Sequence, residues 1–208
     1  MVVYSYGYGG FIIINFHVYH SRFSFYMKRL FDITFSIVAL IVFLFPMLVI
    51  TLLILFKEKH SIIFRQERIG KDKKPFNILK FQTMVDGIVT PTGKILRRTG
   101  LDELMQFINV LRGDMSIIGP RALMMTDIDR LGWNDEFHAC RWNIKPGISG
   151  FAQIYGGQHR KLSWFWDKKY IEHHNIFIDF HIICISFAMN LFGKTKVRRF
   201  IFKKASLK

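Results

Sequence analysis

A chain of 208 residues has room for one ordinary domain and a membrane segment, and hardly for two full domains. Thirty Lys and Arg against 15 Asp and Glu leave a net charge of +15, yet 50% of the residues are hydrophobic. Such a chain suits an anionic membrane surface, and it carries no zinc-finger or RNA-binding signature, which argues against a nucleic-acid binder.

Residues 1–26 begin with alternating Tyr and Gly and continue into Phe11-Ile-Ile-Ile-Asn-Phe16. No basic stretch precedes that run and no small-residue cleavage site comes after it, so it does not read as a signal peptide. Met27-Lys-Arg-Leu-Phe-Asp is a plausible start in its own right. Residues 1–26 are therefore expected to be an N-terminal extension, with a short interfacial anchor as the other reading.

Residues 33–56 form an uncharged run of about 24 residues, long enough to cross a bilayer as a helix. Lys28 and Arg29 precede it, and Lys57, Lys59, Arg65 and Arg68 come after it. Both ends thus carry the charge that marks the cytoplasmic side. Pro46 lies near the middle, where it removes a backbone hydrogen bond and bends the helix. A broken helix that enters and leaves by one face accounts for both observations. A tilted spanning helix with a tolerated proline is the competing reading.

Residues 62–64 and 76–81 are short apolar strings around a Gly-Lys-Asp-Lys-Lys turn, and they predict a small hairpin or two extended segments. A helix over 94–98 leads into the most informative stretch, residues 99–121. There Asp102 and Glu103 stand side by side, and Leu101, Leu104, Ile108 and Leu111 repeat at helical spacing. Lys94, Arg97, Arg98, Arg112 and Arg121 crowd the pair, which should therefore stay ionised and suit a nucleophile or metal ligand acting on phosphate. The plainer reading is a helix start, with Thr99 to Asp102 as a capping pattern.

Gly119-Pro120-Arg121 predicts a tight turn that throws a guanidinium forward, the side chain for bidentate phosphate contact. Asp127 and Asp129 read as solvated surface. Gly147 and Gly150 permit either close backbone approach to a ligand or simple turns before an apolar strand. The loop lacks Walker spacing. His173 and His174 are adjacent and so cannot share a helix face as zinc ligands do. Residues 177–192 are a second apolar run, too short to span comfortably and succeeded by a polybasic tail. They fit an interfacial amphipathic helix or a buried core helix equally well. Cys140 and Cys184, the two cysteines, suit unpaired thiols in a reducing compartment.

With Lys80-Phe-Gln-Thr-Met84, Leu101-Asp-Glu-Leu104, Asn109-Val-Leu-Arg-Gly-Asp-Met-Ser-Ile-Ile-Gly-Pro-Arg121 and Lys145-Pro-Gly-Ile-Ser-Gly150 in order, the chain resembles the bacterial sugar transferases, the small monotopic polyprenyl-phosphate phosphoglycosyl transferases. The likeness runs from Met27 to about Lys196. It implies an α/β fold: an N-terminal re-entrant membrane helix (27–57), a compact cytoplasmic α/β domain with interfacial amphipathic helices (58–197), and a basic tail (198–208). It also implies transfer of a sugar 1-phosphate from a nucleotide diphosphate sugar, usually a UDP-sugar, to undecaprenyl phosphate. This occurs at the cytoplasmic face of the bacterial inner membrane and begins capsule, exopolysaccharide or O-antigen assembly.

By the same resemblance Asp102 is the nucleophile that forms a phosphosugar-aspartyl intermediate, and Glu103 binds or organises Mg²⁺. Lys80 and Arg121 match the family's phosphate-binding positions, and Arg65, Arg68 and Lys145 are further candidates for the same basic surface. The expected partners are donor, lipid acceptor and inner-membrane lipid, with no nucleic acid; the oligomeric state stays open, a homodimer included. Phe45-Pro46 stands where the family has Ser-Pro, Gln82 where a basic residue is common, and Pro120-Arg121-Ala122 where it has Pro-Arg-Pro. These departures bear on rate and donor preference more than on reaction class. The alternative from another class is a catalytically silent membrane scaffold in a polysaccharide assembly complex.

Overall fold

The computed structural model describes residues 22–156 and 160–205, with side chains from Tyr26 to Tyr155 and from Arg160 to Ile201. Residues 1–21, most of the expected extension, lie outside the described residues. Helix α1 (Arg22–Val42) and helix α2 (Leu44–Leu53) contain the long apolar run. Their axes bend by 57° at Phe43. The cause lies three residues on: the Pro46 ring would collide with the carbonyl of Val42, so α1 ends there and Pro46 falls in the first turn of α2. No single described helix is long and apolar enough to cross a membrane, but this bent pair is, by length and composition.

A five-residue π-helical turn (Ile54–Glu58) continues α2 and closes this second arm of the bent pair at Lys59, whose φ is 54°. Strands β1 (Ile63–Ile69) and β2 (Pro75–Phe81) then form the expected antiparallel hairpin. Two short strands, β3 (Met84–Val85) and β4 (Ile88–Val89), lead to helix α3 (Pro91–Thr99). A 3-10 turn (Leu101–Glu103) separates α3 from helix α4 (Gln106–Arg112). Strand β5 (Ser116–Ile118) comes next, then helix α5 (Met125–Leu131) and a 3-10 segment (Glu136–Asn143).

Strand β6 (Gly147–Ser149) pairs in parallel with β5. Gly119, Gly147 and Gly150 serve that pairing. A Cβ at Gly147 would lie 2.1 Å from Gly119 N, and one at Gly150 2.2 Å from Gly119 O. These glycines admit backbone against backbone. The apolar strand expected after them is instead a helical turn (Ala152–Gly156) that buries Ala152 and Ile154. A run this short and apolar does not separate strand from helix by periodicity.

Helices α6 (Arg160–His173), α7 (Ile176–Phe192) and α8 (Lys194–Ala205) complete the chain. Helix α7 divides the two readings of its sequence between its faces. Asp179, Ile182 and Met189 are buried, while Phe177, Phe180, Phe187, Leu191 and Phe192 are exposed. Helix α8 runs on across position 198, where Arg198 donates to the carbonyls of Ile154 and Gln153.

Two connections position the site. Asn109, fully buried on α4, accepts from Leu79 N at 2.9 Å and donates to Asn77 O at 2.8 Å, extending the hydrogen bonding of β2 into a helix. Ile50 and Ile54 of the second arm pack with Leu79, Phe81, Leu96, Leu104 and Met105. Ile54 is fully buried, and each such side chain is worth about 1.5–3 kcal/mol. The apolar arm is therefore the floor beneath the turn that carries Asp102.

Candidate active site

Thr99 ends α3, and its hydroxyl donates back to the carbonyls of Ile95 and Leu96 rather than capping the next turn. Gly100, at φ 74°, reverses the chain in a conformation that favours glycine. The next three residues form the 3-10 turn, in which neither carboxylate caps a helix, and α4 begins only at Gln106. The capping account of Asp102 and Glu103 therefore fails, and both stay partly exposed.

Lys80 Nζ contacts Glu103 Oε1 at 2.5 Å. In the antiparallel register Phe64 faces Lys80 and Arg68 faces Phe76. Residues directly opposite, and those two apart along a strand, share a face, so Lys80 and Arg68 lie on one side of the hairpin. Arg68 donates to Gln66 and to Ala122 O, and pairs with Asp127 at 3.7 Å. Burial lowers its pKa, as does the neighbouring charge of Arg121, while Asp127 and Glu103 act against this. Arg68 thus lies within electrostatic reach of both Glu103 and Arg121, and its Nε is buried without an acceptor among the described residues.

The Arg121 side chain is exposed. Its backbone is held from both sides: Arg121 bridges Gly147, and its carbonyl accepts from Arg141 Nη2 at 2.5 Å. Arg141 is buried between Trp133 and Trp142 and pairs with Asp167 Oδ2 at 3.2 Å.

The cations near Asp102 do not set the direction of its shift. Burial raises its pKa above the ordinary value, and the Glu103 charge adds to the rise, while Lys80 and Arg97 pull it down. The basic surroundings counter that rise without reversing it. A raised pKa makes the ionised carboxylate a better nucleophile, provided that the working pH stays above it.

Among the sequence candidates, Asp102, Glu103, Lys80, Arg68 and Arg121 are brought together. Arg65 faces Leu79, on the other side of the hairpin from Lys80. Lys145 lies at the far end of α4, its Nζ 3.4 Å from where a Gly113 Cβ would stand; seven residues of α4, about 10 Å, separate that end from the dyad turn. There burial and the charge of Arg29 lower its pKa. Pro46 breaks the apolar pair and lies outside the site. Two further residues belong at the site. Arg97, whose Nε donates to Thr83 at 2.7 Å, bears electrostatically on Asp102. Asp127, expected at the solvated surface, holds Arg68 and Arg130.

No three His, Cys, Asp or Glu side chains converge among the described residues. Mg²⁺ needs no such cage, since it is commonly held by one or two carboxylates with water and substrate phosphate. Two adjacent, partly exposed carboxylates with an orphaned guanidinium donor nearby fit a metal that arrives with a phosphorylated ligand.

Fold and site together define a mixed α/β protein with a bent apolar helix pair and an adjacent carboxylate pair with Lys80, Arg97 and Arg68 close by. Residues 23–193 match the profile of the family described as bacterial sugar transferase, and the chain belongs to that family. It is 37% identical over 182 residues to the uncharacterised sugar transferase EpsL of Bacillus subtilis, covering 77% of this chain and 85% of that protein. It is 33% identical over 177 residues to the UDP-N-acetylgalactosamine-undecaprenyl-phosphate N-acetylgalactosaminephosphotransferase of Aeromonas hydrophila, 76% of this chain and 42% of that one. It is 35% identical over 189 residues to the UDP-glucose:undecaprenyl-phosphate glucose-1-phosphate transferase of Klebsiella pneumoniae, 81% of this chain and 41% of that one. The chain therefore spans less than half the length of these last two relatives, whose names state a reaction.

Proposed function

We propose that this chain transfers a sugar 1-phosphate from a nucleotide diphosphate sugar, a UDP-sugar first, to undecaprenyl phosphate in two steps. The observation that carries the reading is the 3-10 turn itself: Asp102 is partly exposed and free of a capping role, Lys80 and Arg97 bear on it, and Arg68, in turn near Arg121, bears on the adjacent Glu103. The names of the related transferases supply donor and acceptor.

In the first step an Asp102 carboxylate oxygen attacks the phosphorus nearer the sugar, and the bond from that phosphorus to the bridging oxygen breaks. The electron pair leaves with the nucleoside monophosphate. In the second step an oxygen of the lipid phosphate attacks the same phosphorus, and the carboxylate leaves. Splitting the exchange lets a soluble donor and a lipid acceptor use one site in turn. Lys80 and Arg121 hold phosphate oxygens as charge develops, with Arg68 between them. Glu103 is the residue to hold Mg²⁺, which when bound neutralises charge on the phosphates.

The bent pair α1–α2 acts as a re-entrant hairpin that seats the domain on the cytoplasmic face of the inner membrane. A spanning helix would carry its two ends to opposite sides of a hydrocarbon layer about 30 Å thick. Here both ends meet the same domain. Arg29, near the start, donates to the carbonyls of Val110 and Leu111, and Glu58, at the close, accepts from Thr92 N. The exposed apolar side chains between them, Ile41, Phe45 and Phe56 included, need a lipid environment. The exposed apolar face of α7 and the basic α8 fit the headgroup level.

The test is release of nucleoside monophosphate with formation of a lipid-linked product, using undecaprenyl phosphate and a panel of UDP-sugars. Turnover that disappears in Asp102→Asn supports the reading. An assembly role that persists in both Asp102→Asn and Glu103→Gln, with no donor consumed, would establish the scaffold reading instead.

A further inference from the structure

The return arm of the proposed hairpin, α2 with the turn Ile54–Glu58, does more than end below the site. Glu58 closes it, with a side chain only 6% exposed. Its Oε1 accepts from Thr92 N at 2.8 Å, in the first turn of α3, and its Oε2 meets His60 Nε2 at 2.9 Å. The other ring nitrogen of His60 contacts Ser61 O at 2.7 Å. Burial opposes ionisation of this carboxyl. The hydrogen bonds from Thr92, Thr90 and His60 together outweigh burial and lower its pKa to about 2. A carboxylate at a helix N-terminus is also favoured by the helix dipole.

Helix α3 is a rod of nine residues, about 13 Å long. Glu58 grips its first turn, and its last residue leads through Gly100 to Asp102. The rod is fixed along its length as well. Gly93 leaves no space for a side chain against Thr83 O, a Cβ there lying 2.3 Å from it, and Arg97 is tied to Thr83. Leu96 packs with Ile50 and Ile54 of the return arm. A displacement of the arm relative to α3 is therefore a displacement of Asp102 relative to whatever surface the arm is seated in.

The geometry points to Glu58 as a positioning residue that sets the height of Asp102 above the membrane for attack by the lipid phosphate. This rests on the two-step transfer reading, and that reading makes it separable. The nucleotide sugar reaches Asp102 from solution, so the first step does not depend on that height. The lipid phosphate is confined to the headgroup plane, so the second step does. A misplacement of about 1 Å made far from the reacting atoms can cost up to 10²-fold in rate.

The experiment measures the two steps separately by rapid quench, on the full chain in vesicles of anionic phospholipid with and without undecaprenyl phosphate. Formation of the Asp102 adduct from donor alone reports the first step, and its decay on adding acceptor reports the second. Glu58→Ala should slow the decay about tenfold or more and leave adduct formation within about twofold. Glu58→Gln keeps an oxygen for Thr92 N and should fall between Glu58→Ala and the wild type; it also serves as the test if the alanine variant fails to fold. His60→Ala should act in the same direction with a smaller effect. Decay at the wild-type rate in both Glu58 variants, or equal slowing of both steps, overturns the positioning role. Absence of any adduct in the wild type overturns the two-step reading, and this proposal with it.

Discussion

Two clusters of opposite charge lie on either side of Arg121, and they are built differently. In one, Arg141 and Asp167 are almost fully buried and satisfy each other, with the Arg121 carbonyl and two indole faces completing the guanidinium. In the other, Glu103 is 39% exposed and has Lys80 as its partner, Asp102 caps no helix, and the Arg68 Nε lacks an acceptor among the described residues. The charges of the first cluster satisfy each other, although the Trp142 indole N–H beside them finds no acceptor among the described residues, and the charges of the second have capacity to spare. Paired, buried charge holds backbone in place; partly exposed charge with donors to spare is left for a ligand.

This contrast can be broken experimentally, and the largest effect belongs to the unsaturated cluster. Asp102→Asn should lower turnover by about 10³-fold or more without lowering the unfolding midpoint, since its carboxylate caps no helix and the fold disfavours its charge. Asp167→Ala should do the reverse in kind. Leaving Arg141 buried and unpaired costs about 3 kcal/mol, read as a loss of unfolding free energy in denaturant titration of the detergent-solubilised protein. Arg121→Ala should reduce kcat by about 10²-fold, and Arg121→Lys should recover only part of it, because a single ammonium does not reproduce a two-pronged contact.

A pH measurement sharpens the same point. The charge of Glu103 helps raise the Asp102 pKa, second only to burial. The ionised carboxylate is the nucleophile, so the rate of adduct formation rises with pH through that pKa. Removing the neighbouring negative charge in Glu103→Gln should move this acid limb to lower pH, whatever it does to the plateau. The smallest effect is expected from Arg65→Ala, on the opposite face of the hairpin, with activity within about twofold of wild type. A large loss there would place Arg65 at the site against the strand register.

Much of this was legible in the residue pattern, for identifiable reasons. Pro46 announced the break because its ring excludes a carbonyl four residues earlier wherever it sits in a helix. The hairpin of β1 and β2 came from two apolar strings around a turn, and their register separated Lys80 and Arg68 from Arg65 once it was known. Asp102 and Glu103 drew attention by adjacency and by family motif, although pattern alone favoured a cap.

The features that stayed hidden are mostly contacts across long stretches of chain. Glu58 meets Thr92 34 residues on, and Arg141 meets Asp167 26 residues on. Neither sequence neighbourhood signals the partner: Asp167 stands in an aromatic run, and Glu58 stands among basic residues. Lys145 misled in the opposite way. It belongs to a recognisable motif, yet the length of α4 carries it to the end remote from the dyad. The direction of the Asp102 shift was also out of reach, because burial outweighs cations that a sequence can count but not place.

The mechanism stands or falls on whether Asp102 itself carries the phosphosugar between donor and lipid. To decide it, the protein is incubated with Mg²⁺ and a UDP-sugar that supports turnover, without acceptor, then digested, and any phosphosugar adduct is mapped by mass spectrometry. One adduct is expected, on the peptide containing Asp102, discharged when undecaprenyl phosphate is added and absent from Asp102→Asn. Transfer to lipid with no protein-bound phosphosugar at any time, or an adduct on another residue, would contradict it.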